Sequence, residues 1–255
     1  MKYHLIKGLH IGIVANISAG FGGSLFAQET LTVCKKQGIP AILVTFDYNR
    51  YYFDLDPDLR RLKAPVRGTS DREQHKAFDD LLEVFNEARA NNKFVIIDVP
   101  VGITMNNSML SLLRNRDILN ASSTAALVPI MAGESTGAEM ALRAFTGFGI
   151  HCDRGLFRRF VLPGDPTSTD LSRLPAYPVW RTKYMSRATM KLIKQEIERV
   201  CNPSLNHLPR LLELEPGKNL PDTRREHLEQ AIAHFDLAKK AIYRAILAPI
   251  TNMIP

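Results

Sequence analysis

The sequence predicts an α/β fold, a mostly parallel sheet with helices on both faces, followed by C-terminal helices. Three observations predict it. The apolar runs 9–15 (LHIGIVA), 41–46 (AILVTF) and 94–98 (FVIID) are continuous rather than alternating, as in strands buried on both faces. Stretches with helical spacing separate them, the alternation that builds a parallel sheet. A glycine-rich turn, NISAGFGGSLFAQ over residues 16–28, joins the first strand to the first helix.

The elements follow in order. Residues 24–37 (SLFAQETLTVCKKQ) read as a helix stopped by Gly38, with Pro40 behind it. A polar, tyrosine-rich loop follows the strand at 41–46. Residues 71–90 read as a helix, with Ser70 and Asp71 as capping candidates and Phe78, Leu81, Leu82 and Phe85 at helical spacing. A helix is expected over 107–120, a strand over 124–131, a helix over 134–147 and a strand over 158–162. Four prolines, Pro163, Pro166, Pro175 and Pro178, then mark an irregular connection. Two helices remain, over about 183–201 and 222–248. The second carries Leu228, Ile232, Phe235, Ala238, Ile242 and Ile246 along one face, which suits it to cover the sheet. The division this implies is an α/β core over 1–165 and a C-terminal helical part over 166–255 packed on the same domain.

A chain of 255 residues with 45% hydrophobic and 23% charged residues has the composition of a globular domain rather than of a disordered or fibrous one. Cys34, Cys152 and Cys201 lie far apart, with neither metal-ligand spacing nor an even disulfide framework. A reducing, cytoplasmic compartment fits that usage. No apolar run approaches the roughly 18 residues that span a bilayer. Lys2 and Lys7 precede an apolar stretch, but His10, Gly12 and Asn16 interrupt it and no small-residue cleavage site follows, which argues against a signal peptide. The net charge of +7 is uneven. Residues 1–150 hold 16 basic and 15 acidic residues, for +1, and residues 151–255 hold 17 and 11, for +6. The excess favours an anionic partner or serves solubility.

The glycine turn carries most of the chemistry. Gly20, Gly22 and Gly23 would let backbone N–H groups converge on phosphate oxygens, and the helix starting near Ser24 would present its positive end. Ser24 supplies a hydroxyl for Mg2+. Gly23 stands where a lysine would neutralise the outer phosphates. The segment is either a phosphate loop without its lysine or an ordinary tight turn. Asp98, at the end of FVIIDVPVG, either binds Mg2+ through water or caps a turn. The loop after 9–15, Asp47 and Asp98 all fall at strand carboxyl ends, where such sheets bind ligands.

In their order these segments resemble the ParA/MinD family of deviant phosphate-loop ATPases, over about residues 9–165. The family loop reads Lys-Gly-Gly-x-Gly-Lys-[Ser/Thr], against Ser18-Ala19-Gly20-Phe21-Gly22-Gly23-Ser24 here. The family's second strand ends in an acidic residue, and VTFD supplies Asp47. FVIIDVPVG resembles its aspartate-x-proline segment, and ILNASSTAALVPIMAGES resembles its next strand. Pro163-Gly164-Asp165 falls where relatives contact the adenine base. The resemblance implies a phosphate-loop NTPase-like fold. It gives Asp47 and Asp98 catalytic roles, nucleotide contacts to Ser18, Gly20, Gly22, Gly23, Ser24, Pro163 and Asp165, and Mg2+ to Ser24 and Asp98. It also implies a face-to-face homodimer around ATP.

Both family lysines are absent. The one that crosses the dimer falls on Ser18, and the phosphate-contacting one on Gly23. The expectation is therefore ATP and Mg2+ bound weakly or not at all, with weak or absent hydrolysis and a dimer independent of ATP. Arg50, beside Asp47, is a candidate substitute cation.

Lys183, Arg187, Lys191 and Lys194 are spaced by four, four and three, within about 80° on a helix, with Ile193, Ile197 and Val200 nearly opposite. No acidic residue occurs from Arg181 through Gln195. The stripe is either a DNA phosphate contact or a solvated face. Trp180 and Tyr184 beside it would pack under it or stack on a base. Arg224 with Arg225, and Arg158 with Arg159, are further basic candidates. Ser122, Ser135 and the seven histidines show no nucleophile-base setting.

Three functional readings result. The first is a degenerate ParA/MinD-like protein acting in plasmid or DNA partition, stability, positioning or transfer, with sequence-independent DNA binding and a protein partner. The second is an active ATPase using a non-standard cation. The third is a nucleotide-free scaffold or regulatory protein.

Overall fold

The computed structural model describes residues 3–16, 22–46, 56–63, 70–99, 112–130, 152–161, 177–183, 185–201 and 222–253. Its centre is a seven-stranded parallel sheet. The strands are β2 (His10–Ala15), β3 (Ala41–Phe46), β4 (Leu59–Leu62), β5 (Phe94–Val99), β6 (Ser123–Ile130), β7 (Arg154–Val161) and β8 (Val179–Lys183), in the spatial order β4-β3-β5-β2-β6-β7-β8. Every residue of β2, β3 and β5 is buried, as the continuous apolar runs require.

Helices cover both faces. On one, α2 (Asp71–Ala90) lays Leu81 and Phe85 against Ile13, Val44 and Ile97. On the other, α1 (Gly23–Gln37) lays Phe26 and Leu31 against Val14, Ile96 and Leu127. Two C-terminal helices, α4 (Arg187–Cys201) and α5 (Asp222–Ile242), pack beside α1 around Ile193, Leu228, Ala231 and Phe235. The α5 helix widens into a π turn at Tyr243–Leu247 and then tightens into a 3-10 turn at Ala248–Ile250. The chain continues as β9 (Thr251–Met253), which pairs antiparallel with β1 (Tyr3–Leu5).

Local chemistry explains the helix ends. Gly38 ends α1 in the left-handed conformation (φ 69°), its N–H returning to the carbonyls of Cys34 and Lys35. Ser70 and Glu73 form a reciprocal capping box at the start of α2.

Several expectations change. The helix expected over 107–120 is, among its described residues, interrupted at Asn115, whose side chain accepts the Ile118 N–H at 3.0 Å and restarts the chain as the four-residue α3 (Arg116–Leu119). The expected helix over 134–147 lies outside the described residues. The strand expected at 158–162 begins at Arg154. Strand β8 lies at the end of the expected irregular connection, yet it extends the sheet beyond residue 165, so the segment 166–255 contributes a strand to it as well as helices. Lys183 is the last residue of β8, and the helix begins at Arg187. The four-residue stripe therefore does not lie on one helix.

Candidate functional site

Strands β2 and β5 are neighbours in the middle of the sheet, with Val14 opposite Asp98 and Ala15 opposite Val99. Their carboxyl ends therefore bring the residues after β2 alongside Asp98. Gly22 caps α1 in the left-handed conformation (φ 75°), which turns the chain sharply into the helix at little steric cost. Ser24, in the first turn, points back toward the sheet, and its Oγ donates to Asp98 Oδ2 at 2.8 Å. Asn16 Nδ2 donates to Asp98 Oδ1 at 2.6 Å and to the Val99 carbonyl at 3.0 Å. Asp98 is 1% exposed. The carboxylate is thus taken out of water, and side-chain donors on each of its oxygens offset the cost of its desolvation.

Of the residues singled out in the sequence, Gly22, Gly23, Ser24 and Asp98 converge here. Ser18, Gly20, Asp47, Arg50, Pro163 and Asp165 lie outside the described residues. In the sequence Asn16 stands out only as an interruption of an apolar run, although it is the first polar residue after β2, beside the strand that carries Asp98.

The chemistry of the donor set can be tested against the groups the resemblance implies. Ser24 and Asp98 are hard oxygen donors of the type Mg2+ takes, and a hydroxyl that donates its hydrogen to a carboxylate keeps its oxygen lone pairs for a cation. The remainder of an octahedral shell would come from water and phosphate. A lysine at position 23 does not fit as the site stands. A Cβ on Gly23 would lie 1.4 Å from Asn16 Oδ1.

The basic candidates divide. Arg187 and Lys191 are exposed on α4, while Ile193 on the same helix is fully buried. Lys183 ends β8 and Lys194 lies within α4. Arg224 and Arg225 are exposed at the start of α5. Arg158 is not a surface cation. It is fully buried on β7, with Nη1 2.9 Å from Glu29 Oε2, because the alternation of the strand turns it inward onto α1. Trp180 is likewise a core residue, edge-on to Phe26 at 6.0 Å and 5.3 Å from the ring of His234. Tyr184 lies outside the described residues. Cys34 and Cys152 sit in environments that disfavour the thiolate. Burial pushes Cys152 up to about 12 and raises Cys34 further. No helix among the described residues is long and apolar enough to cross a membrane.

No protein-family model and no curated protein matches the chain. Among solved structures it is similar to a ParA family ATPase from Chlorobium tepidum TLS, with a TM-score of 0.43 and 10% identity, over 89% of this chain and 98% of that one. The fold itself, a seven-stranded parallel sheet between two helical layers with further C-terminal helices, is read from the strand order and packing of this chain.

Proposed function

We propose that this protein is a degenerate phosphate-loop protein of the ParA/MinD-like kind, acting in the partition, stability, positioning or transfer of plasmid DNA. In this reading ATP and Mg2+ bind weakly, hydrolysis is weak or absent, and DNA is held without strong sequence preference. One observation carries it: the Ser24 hydroxyl meets the buried Asp98 carboxylate at 2.8 Å, at the carboxyl end of the central strands and two residues after a left-handed glycine. A helix N-terminus, a hydroxyl and a strand-end aspartate in that relation are the parts a Mg2+-phosphate site requires. The DNA component is supported by Arg187 and Lys191, exposed on α4 in a stretch without acidic residues from Arg181 to Gln195.

Calorimetric titration of ATP and ADP, with and without Mg2+, tests the nucleotide component. Weak binding that strengthens with Mg2+ and is lost in Asp98→Ala is the expected result. No binding at millimolar nucleotide would favour the scaffold reading. The clasp on Asp98 is the observation that supports that second reading, because both carboxylate oxygens already accept from protein side chains.

A further inference from the structure

We infer that Asn16 and Gly23 form a steric interlock that keeps any side chain off position 23, the first residue of α1, so that Asn16 is the positioning residue that decides whether a lysine can stand there. The nucleotide part of the inference rests on the phosphate-loop reading above; the interlock itself does not.

Gly23 is the first residue of a 15-residue helix, and among the described residues the glycines with positive φ are Gly8, Gly22 and Gly38, not Gly23. Its backbone therefore makes no demand for glycine, and alanine would ordinarily be the better helix former. The demand comes from across the turn. A Cβ at position 23 would lie 1.4 Å from Asn16 Oδ1, 2.4 Å from Cγ and 2.7 Å from Nδ2. Asn16 cannot simply swing aside. It is 8% exposed, and its amide is tied to Asp98 Oδ1 at 2.6 Å and to the Val99 carbonyl at 3.0 Å. A side chain at 23 must evict Asn16, and eviction takes one of the donors from a buried carboxylate. Glycine at the position of the phosphate lysine is thus coupled to the residue that holds Asp98. Restoring the lysine alone breaks that hold.

The experiment is a double-mutant cycle on the full chain, read by thermal unfolding. Gly23→Ala is expected to lower the melting temperature by about 5 °C in the parent background. In the Asn16→Ala background the same change should leave it unchanged or raise it, since the obstacle is gone and the helix gains alanine. Failure of Gly23→Ala to fold, with the double variant folded, is the same result in stronger form. Asn16→Ser, a shorter donor, serves as the background if Asn16→Ala does not fold. Equal losses in both backgrounds would overturn the interlock. A second readout is binding of a fluorescent ATP analogue. Gly23→Lys alone should give no gain, while Asn16→Ala with Gly23→Lys should tighten binding roughly tenfold or more. A full gain from Gly23→Lys alone would also overturn the interlock. Thermal coupling without any gain in nucleotide binding would leave the interlock standing and count against the phosphate-site reading.

Discussion

The guanidinium of Arg158 lies 2.9 Å from the carboxylate of Glu29, and neither side chain reaches solvent. His234 Nε2 meets the same carboxylate at 2.6 Å, and a carboxylate can only accept, so the imidazole donates. The guanidinium also sits 5.0 Å from the Trp180 ring centre and 5.8 Å from that of Phe26. Burial holds the guanidinium's proton affinity below the usual arginine range, and the Glu29 charge opposes that effect. The cluster ties β7 and β8 to α1, which begins at the glycine turn, and to α5 in the C-terminal layer.

Breaking that pair is expected to cost far more than replacing it. Glu29→Gln removes a counter-charge from a buried guanidinium, and about 3–5 kcal/mol of stability should be lost. The double variant Glu29→Leu, Arg158→Met should recover most of that loss, since well-packed apolar residues avoid desolvating two charges. Urea unfolding measures both. A loss under about 1 kcal/mol in the single variant would show that the ion pair does little to brace the helical layer.

Hydrolysis of ATP should be slow. Positive charge stabilises the phosphoryl transition state, and loss of a single preorganised electrostatic contact costs about 10²–10³ in rate. With Ser18 and Gly23 at both lysine positions, turnover should fall at least about 100-fold below an ordinary enzymatic rate of about 10 s⁻¹. A phosphate-release assay with and without Mg2+ checks this. Rapid Mg2+-dependent turnover, abolished by Asp98→Ala, would instead support an active ATPase with another cation.

Binding to duplex DNA should depend steeply on salt and little on sequence, because phosphate contacts release counterions and carry no base information. Neutralising Arg187 and Lys191 together should flatten the log–log salt slope by about two, with unchanged folding. Fluorescence anisotropy across a salt series measures the slope. An identical slope in the double variant would make this face of α4 merely solvated.

Acid should weaken the fold through His10. The residue is 3% exposed, with Nδ1 2.7 Å from Ser123 Oγ and Nε2 2.8 Å from the Ile6 carbonyl. Burial lowers its pKa from 6.5, with the Ile6 carbonyl opposing and Arg154 adding to the depression. The unfolded chain therefore binds the proton more readily. The contribution of His10 is fully present above the unfolded value of 6.5 and is lost as pH falls from there through the folded value. Urea midpoints at about pH 7.5 and about pH 5.5 should differ less in His10→Gln than in the parent. An equal or larger difference in the variant would assign the acid sensitivity to other groups.

The layered α/β architecture was legible because buried parallel strands need unbroken apolar runs, and 9–15, 41–46 and 94–98 supply them. So were the two ends of α2 and α1 set by Ser70 and Gly38, since capping is local chemistry. Strands β4 and β8 were not legible. LRRL at the sheet edge and VWRTK behind a proline-rich stretch carry no periodicity that marks a strand, and only pairing with β3 and β7 makes them so.

The sequence by itself determined the order of strand, glycine turn, helix and strand-end aspartate that brings Ser24 to Asp98, because residues at the ends of neighbouring parallel strands must meet at one edge. It could not determine what surrounds them. Asn16 looked like a break in an apolar run until β2 and β5 were in register, and Gly23 looked like a turn residue until its missing Cβ was found to be the space Asn16 occupies. Arg158 looked like a surface cation, and Lys183 like the start of a helical stripe. Tertiary structure decided these four residues, because register, strand alternation and close packing act between segments far apart in the chain, where no local pattern reports them.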